Sequence, residues 1–141
     1  MSVKPYKRGK LEVIAGPMFA GKSSELLKRL LFIEHGGHKV LVLKPVIDDR
    51  YDSNFIVTHN QLKHPAVAVI DLELVKENYT IKPYNFHTVF VDEVQFFDTA
   101  ETMWFIEEGL REGVNFVVAG LDQDSRGVPF ETTSRCLALA D

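Results

Sequence analysis

A chain of 141 residues suits one domain with a single hydrophobic core, and its 45% hydrophobic and 26% charged content is ordinary for a soluble globular protein. The net charge of −4 and pI near 5.7 argue against a nucleic-acid partner, since the basic residues are scattered apart from Lys4, Lys7, Arg8 and Lys10 near the start. No apolar run reaches the roughly 20 residues of a membrane span. The basic start leads into no signal-peptide core, so a cytoplasmic location is expected and no membrane partner, and the single cysteine, Cys136, excludes an internal disulfide and a Cys-x-x-Cys metal pair.

In chain order, short apolar runs alternate with helix-period stretches, which predicts an α/β fold on a mainly parallel sheet covered by helices on both faces. Leu11 to Ala15 reads as the first strand, followed by a glycine loop. From Lys22 to His35, the residues Leu26, Leu27, Leu30, Leu31 and Ile33 repeat at helical spacing until Gly36-Gly37 ends the helix. Val40 to Leu43, Val67 to Ile70, Val89 to Val91 and Phe116 to Ala119 are continuous apolar strands of the kind buried on both faces. Another helix is predicted from Thr99 to Glu112, closed by Gly113. The stretch from Val46 to Pro65 reads as one long irregular loop, of the kind that is usually functional or mobile. Thr132 to Asp141 reads as a helix in progress without a capping glycine, so the chain is expected to be cut short of a longer protein; a natural C-terminal helix is the alternative.

Two motifs carry chemistry. Gly16-Pro17-Met18-Phe19-Ala20-Gly21-Lys22-Ser23 matches G-x-x-x-x-G-K-[ST] between a strand and a helix, the context that phosphate binding requires. The glycines admit backbone angles that other residues resist, letting successive N–H groups surround phosphate oxygens at a helix N-terminus. Lys22 is expected on the β- and γ-phosphates and Ser23 on Mg²⁺. Val89-Phe90-Val91-Asp92-Glu93 is an apolar strand ending in carboxylates at the sheet edge where open α/β folds bind ligands. Asp92 is expected to hold Mg²⁺ through water, and Glu93 to polarise a nucleophile, either water or a substrate hydroxyl. Asp48 and Arg50 follow the second strand, where Arg50 could neutralise charge on a transferring phosphoryl group, or the two could form an exposed ion pair. Phe96 and Phe97 could line a base pocket or pack the core. His35 and His38 read as a helix end rather than a metal site, and Cys136 as a core residue.

The same residues resemble the type II (cytosolic and bacterial) thymidine kinase family. Gly16 to Leu26 is similar to its phosphate loop, G-P-M-[FY]-[SA]-G-K-[ST]-x-E-L, and Asp92-Glu93-Val94-Gln95-Phe96-Phe97 to its D-E-[VG]-Q-F-F segment. Lys44-Pro45 with Asp48-Asp49-Arg50-Tyr51, and Gly120-Leu121-Asp122 with Pro129-Phe130, match in the same order. The resemblance implies a RecA-like P-loop domain over residues 1–141 that moves the γ-phosphate of ATP to the 5′-hydroxyl of thymidine or deoxyuridine, with Glu93 as general base. It extends the ATP and magnesium set to Asp48, Asp49, Arg50, Val94 and Gln95. It places Met18, Phe96, Leu121, Ser125 and Phe130 around the nucleoside, and implies a homotetramer. The family also carries a Zn²⁺-binding segment with Cys pairs and a lasso loop over the thymine, neither of which falls within these residues. Ser125 stands where the family often has a phenylalanine against the base. A P-loop ATPase that activates water through Asp92-Glu93, a GTPase switch lacking its Asn-Lys-x-Asp segment, and a non-catalytic nucleotide-binding module are the competing readings.

Overall fold

A computed structural model describes residues 7–17, 21–47, 54–58 and 62–141. Strand β1 spans Leu11–Gly16, helix α1 Lys22–His35, β2 Val40–Pro45, β3 Phe55–Val57, β4 Lys63–Pro65 and β5 Val67–Val69. Helix α2 covers Leu72–Asn78, β6 Thr88–Val91, a 3₁₀ turn Val94–Phe96, α3 Thr99–Glu112, β7 Asn115–Leu121 and α4 Glu131–Leu139. Five strands form one sheet in the order β1-β7-β6-β2-β5, and every pairing is parallel. The α/β architecture expected from the sequence is therefore present, with β7 standing between the strand of the glycine loop and the strand of the paired carboxylates.

The pleat explains why these strands read as unbroken apolar runs. Leu41, Leu43, Val89, Val91, Phe116 and Val118 point to one face, where Leu72 and Val75 of α2, Phe105, Ile106 and Leu110 of α3 and Cys136 of α4 complete a core. Val42, Phe90, Val117 and Ala119 point to the other, under Leu26 and Leu30 of α1. Parallel strands need a crossover each; α1, α2 and α3 supply three of them, and the segment holding β3 and β4 supplies the one from β2 to β5.

Helices α1 and α3 keep the bounds predicted for them, α1 ending at Gly36-Gly37 and α3 at Gly113, which is left-handed at φ 97° and caps it. Three differences have physical causes. The stretch read as a single irregular loop contains the antiparallel hairpin β3–β4, whose strands are three residues each and too short to show alternation. That hairpin is not a loose appendage, because Ile56 and Ala66 belong to the core under α1. Helix α2 went unread because it has two turns and only Leu72 and Val75 buried, less than a helical period needs to show. Its N-cap is nonetheless regular, with the Asp71 carboxylate accepting the Leu74 N–H at 3.0 Å. Finally, α4 stops at Leu139 rather than Asp141. Asp141 turns back onto the start of β1, donating its N–H to the Leu11 carbonyl (3.0 Å) and accepting the Leu11 N–H on its carboxylate (2.8 Å). Those bonds and Arg8 hold the Asp141 carboxyl below its usual range.

Gly120 is the point where the second layer meets the sheet most closely. A Cβ there would lie 2.8 Å from Val94 Cγ1 and 2.9 Å from both Gln95 Oε1 and Thr133 Oγ1. Gly120→Ala is expected to push the 3₁₀ turn off β7 and to cost about 1–3 kcal/mol. Urea unfolding measures the loss, and a midpoint equal to that of the unsubstituted protein would show that the turn shifts freely.

Candidate functional site

Parallel pairing brings four strand ends to one edge: Gly16 of β1, Leu121 of β7, Val91 of β6 and Pro45 of β2. The loop after β1 runs into α1 through Gly21, which is left-handed at φ 77° and sits at the N-cap without any side-chain cap. The first-turn amides of α1 therefore receive no side-chain cap from the N-cap residue, the arrangement that favours an anion. Of the two motif glycines only Gly21 has positive φ; Gly16 is the last residue of β1, in register with Leu121. Lys22 opens α1 and donates its Nζ to the Pro17 carbonyl at 2.6 Å, reaching back across the loop. Ser23 follows it, half-buried. Met18, Phe19 and Ala20 lie outside the described residues, as do Asp48, Asp49 and Arg50.

Across β7 from this loop stands Asp92, 8% exposed. Its N–H continues the ladder of β6 to the Leu43 carbonyl at 2.9 Å, and its carboxylate accepts the Glu93 N–H at 2.9 Å. Burial first, and then the charge of Glu93, push its pKa up to about 6; the Glu93 hydrogen bond and the charges of Lys44 and Lys22 pull the other way. Such a carboxylate gains from any added cation, so the residues present fit a hard metal ion. Among the described residues no three His, Cys, Asp or Glu side chains gather to enclose one. A metal here would thus take most of its ligands from phosphate and water, as Mg²⁺ does with nucleotides.

Glu93 is left-handed at φ 50° and ψ 46°, the one non-glycine residue with positive φ among the described residues. That conformation costs roughly 1–3 kcal/mol and persists where surrounding structure enforces it, commonly at functional sites. The 3₁₀ turn that follows separates its residues sharply. Val94 and Phe97 are buried in the core, whereas Phe96 is 52% exposed. Gln95 directs its Oε1 to the Leu121 N–H at 3.1 Å and so ties the turn to the end of β7.

Leu121 and Phe130 are half-buried at the two ends of a tight connection from β7 to α4. Asp122 donates its N–H to the Gly16 carbonyl (3.4 Å), and the Phe130 N–H returns to the Asp122 carbonyl (3.0 Å). Between them the Asp124 carboxylate accepts the N–H groups of Arg126 and Val128, at 2.8 and 3.0 Å. Ser125 is exposed near the tip of this connection. Two participants were given no role of their own from sequence. Asp124 organises the connection, and its signal was the Asp-x-x-Gly spacing to Gly127, which is left-handed at φ 83°. Lys44 is a charge inside the apolar run of β2, and its Nζ donates to the Phe55 carbonyl at 2.8 Å.

The family model for thymidine kinase matches residues 9–141. The chain belongs to the thymidine kinase family. Thymidine kinases of Mesomycoplasma hyopneumoniae strains 7448, J and 232 are each 37% identical to it over 138 residues, which cover 98% of this chain and 73% of theirs. As a member of the family the protein is an enzyme, a kinase acting on a nucleoside. No helix among the described residues is long and apolar enough to cross a membrane.

The buried carboxylate gives this thymidine kinase a pH signature. Folded Asp92 keeps its proton to about pH 6, while the unfolded chain releases it near 3.8. Below the lower value both states are protonated and nothing is lost. Between about pH 4 and 6 the unfolded state ionises first, so stability falls as pH rises, by on the order of 3 kcal/mol in all. Asp92→Asn is expected to remove that fall and to raise the melting temperature of the nucleotide-free enzyme at neutral pH. Thermal melts across pH 4–8 check this; a variant that melts below the unsubstituted enzyme at pH 7.5 would show that the carboxylate is compensated in the free protein.

Proposed function

We propose that the enzyme transfers the γ-phosphate of ATP to the 5′-hydroxyl of thymidine, or deoxyuridine, with Glu93 as the general base. The observation that carries this reading is the enforced left-handed backbone of Glu93, directly after the buried Asp92, at the sheet edge shared with the glycine loop. Glycine would hold the same angles without steric strain, so a glutamate is kept there against the preference of the backbone.

In this reading Lys22 exchanges the Pro17 carbonyl for the β- and γ-phosphates, and the uncapped amides of α1 take the remaining phosphate charge. Met18, Phe96, Leu121, Ser125 and Phe130 surround the nucleoside; the exposure of Phe96 and the half-exposure of Phe130 leave apolar surface for a base. Glu93 takes the proton of the 5′-hydroxyl as its oxygen bonds to the γ-phosphorus, and the bond from that phosphorus to the ADP oxygen breaks. Ser23 and Asp92, through water, are the residues that would hold Mg²⁺, which when bound neutralises charge on the phosphates. Asp48, Asp49 and Arg50 complete the donor side, and Val94 and Gln95 support it by fixing the 3₁₀ turn. A cytoplasmic homotetramer belongs to the same proposal.

Three substitutions separate these roles. Lys22→Ala is expected to abolish most transfer while leaving the fold intact, because a point charge on the phosphates is lost. Glu93→Gln should lower kcat by about 10²–10⁴-fold with ATP affinity little changed. Glu93→Gly should lose transfer as severely in a variant that still folds, since glycine accepts the left-handed backbone while the carboxylate is gone. The assay incubates enzyme, ATP and Mg²⁺ with a nucleoside panel and follows labelled phosphate. Phosphate passing only to water, or a folded Glu93→Gln enzyme of normal kcat, would overturn the assignment.

A further inference from the structure

Lys44 lies on β2, in the strand next to that of Asp92. Leu43 faces the core under α2 and α3, and Val42 faces the core under α1. Alternation therefore turns Lys44 toward the α1 face. The same count on β6, with Phe90 under α1 and Val91 opposite, turns Asp92 the same way, because its N–H extends the ladder to the Leu43 carbonyl. Lys44 and Asp92 are thus neighbours on adjacent strands, on the face that carries Lys22, at the edge where the strands end. The ammonium of Lys44 makes a specific bond as well. It donates to the Phe55 carbonyl at 2.8 Å, eleven residues away in sequence, at the first residue of β3.

Phe55 opens a hairpin with several further contacts among the described residues, and the Lys63 ammonium lies 5.6 Å from its ring. Ile56 and Ala66 pack under α1, Ala66 donates its N–H to the Asn54 carbonyl, and His64 meets Glu34 at 3.1 Å. The bond from Lys44 differs from these in joining the hairpin to the last residues of β2. A lysine within a strand flanked by Leu43 and Pro45 gives up hydration and rotamer freedom, which an apolar residue at that position would not.

We propose that Lys44 is a positioning residue for phosphoryl transfer, fixing the start of the β3–β4 hairpin to the sheet edge beside Asp92 and holding a positive charge there that does not leave when Lys22 engages phosphate. The proposal rests on the kinase reading of this site. Its effect falls on kcat, because a sheet edge held loosely beside Asp92 misplaces reacting groups without removing any contact to ATP or thymidine.

The test uses Lys44→Cys. The only native cysteine, Cys136, is fully buried with its thiol pushed up to about 12, so it stays inert to alkylation. The folded variant is expected to lose about ten- to a hundredfold in kcat, with both KM values nearly unchanged. Aminoethylation with 2-bromoethylamine, which rebuilds an ammonium at the length of lysine, should restore most of the loss. Capping the same thiol with a neutral methylthio group should not. A normal kcat in folded Lys44→Cys, or equal recovery with the neutral cap, would overturn the proposal. Should that variant fail to fold, Lys44→Met and Lys44→Arg carry the same contrast: low kcat in the first and recovery in the second support it, and equal kcat overturns it. Unsubstituted enzyme assayed alongside reports separately on whether phosphate reaches thymidine at all.

Discussion

Everything at this site depends on keeping one carboxylate, that of Asp92, buried and ready to be ionised at the end of a central strand. Burial and the adjacent Glu93 oppose the charge, while a backbone N–H and the two lysines favour it. No fold gains stability from that arrangement alone, and an apolar residue would pack β6 against its neighbours at less cost. The sheet order gives the burial its use. With β7 between β1 and β6, the glycine loop and the carboxylate stand two strands apart on one edge, leaving a span between Lys22 and Asp92 over the end of β7. A triphosphate with its metal ion has the charge pattern that such a span accepts, anionic toward the helix N-terminus and cationic toward Asp92.

The layers, the sheet and the helices α1 and α3 were legible because each followed a strong local rule. Apolar runs such as Val40 to Leu43 have no alternative burial, and α1 shows five apolar residues at helical spacing before paired glycines. What escaped notice was short. Helix α2 and strands β3 and β4 hold together by tertiary contact, Leu72 and Val75 against the sheet and Ile56 against α1, rather than by pattern. The end of α4 was misplaced for a related reason, since the bonds that stop it come from Leu11, at the other end of the sequence.

The candidate site divides along the same line. Lys22, Ser23, Asp92 and Glu93 could be proposed from sequence because their residue types are written as contiguous motifs. The motif that named Gln95 did not reveal its work, which is to hold the Leu121 N–H. Nor could spacing separate Phe96 from Phe97; the 3₁₀ turn exposes the first and buries the second, and that depends on the left-handed Glu93 before it. Lys44 entered only as part of a family motif; its bond to the Phe55 carbonyl is to a backbone group, which no sequence pattern encodes.

These particulars join the two halves of the reaction mechanically. The left-handed Glu93 aims the 3₁₀ turn back at β7, where the absence of a side chain at Gly120 admits it. Gln95 then fastens the turn to Leu121, and Thr132 of α4 donates its hydroxyl to the Phe97 carbonyl at 3.0 Å while meeting Thr99 of α3 at 2.6 Å. Leu121 and Phe130 start and finish the connection that would face a nucleoside, and Asp122 within it is bonded to Gly16 at the mouth of the glycine loop. A displacement of the turn would therefore move the candidate base, the apolar residues beside it and the entry to the phosphate loop together. Rigid coupling of this kind suits transfer between two bound substrates, because alignment of donor and acceptor contributes more to such a reaction than the affinity for either.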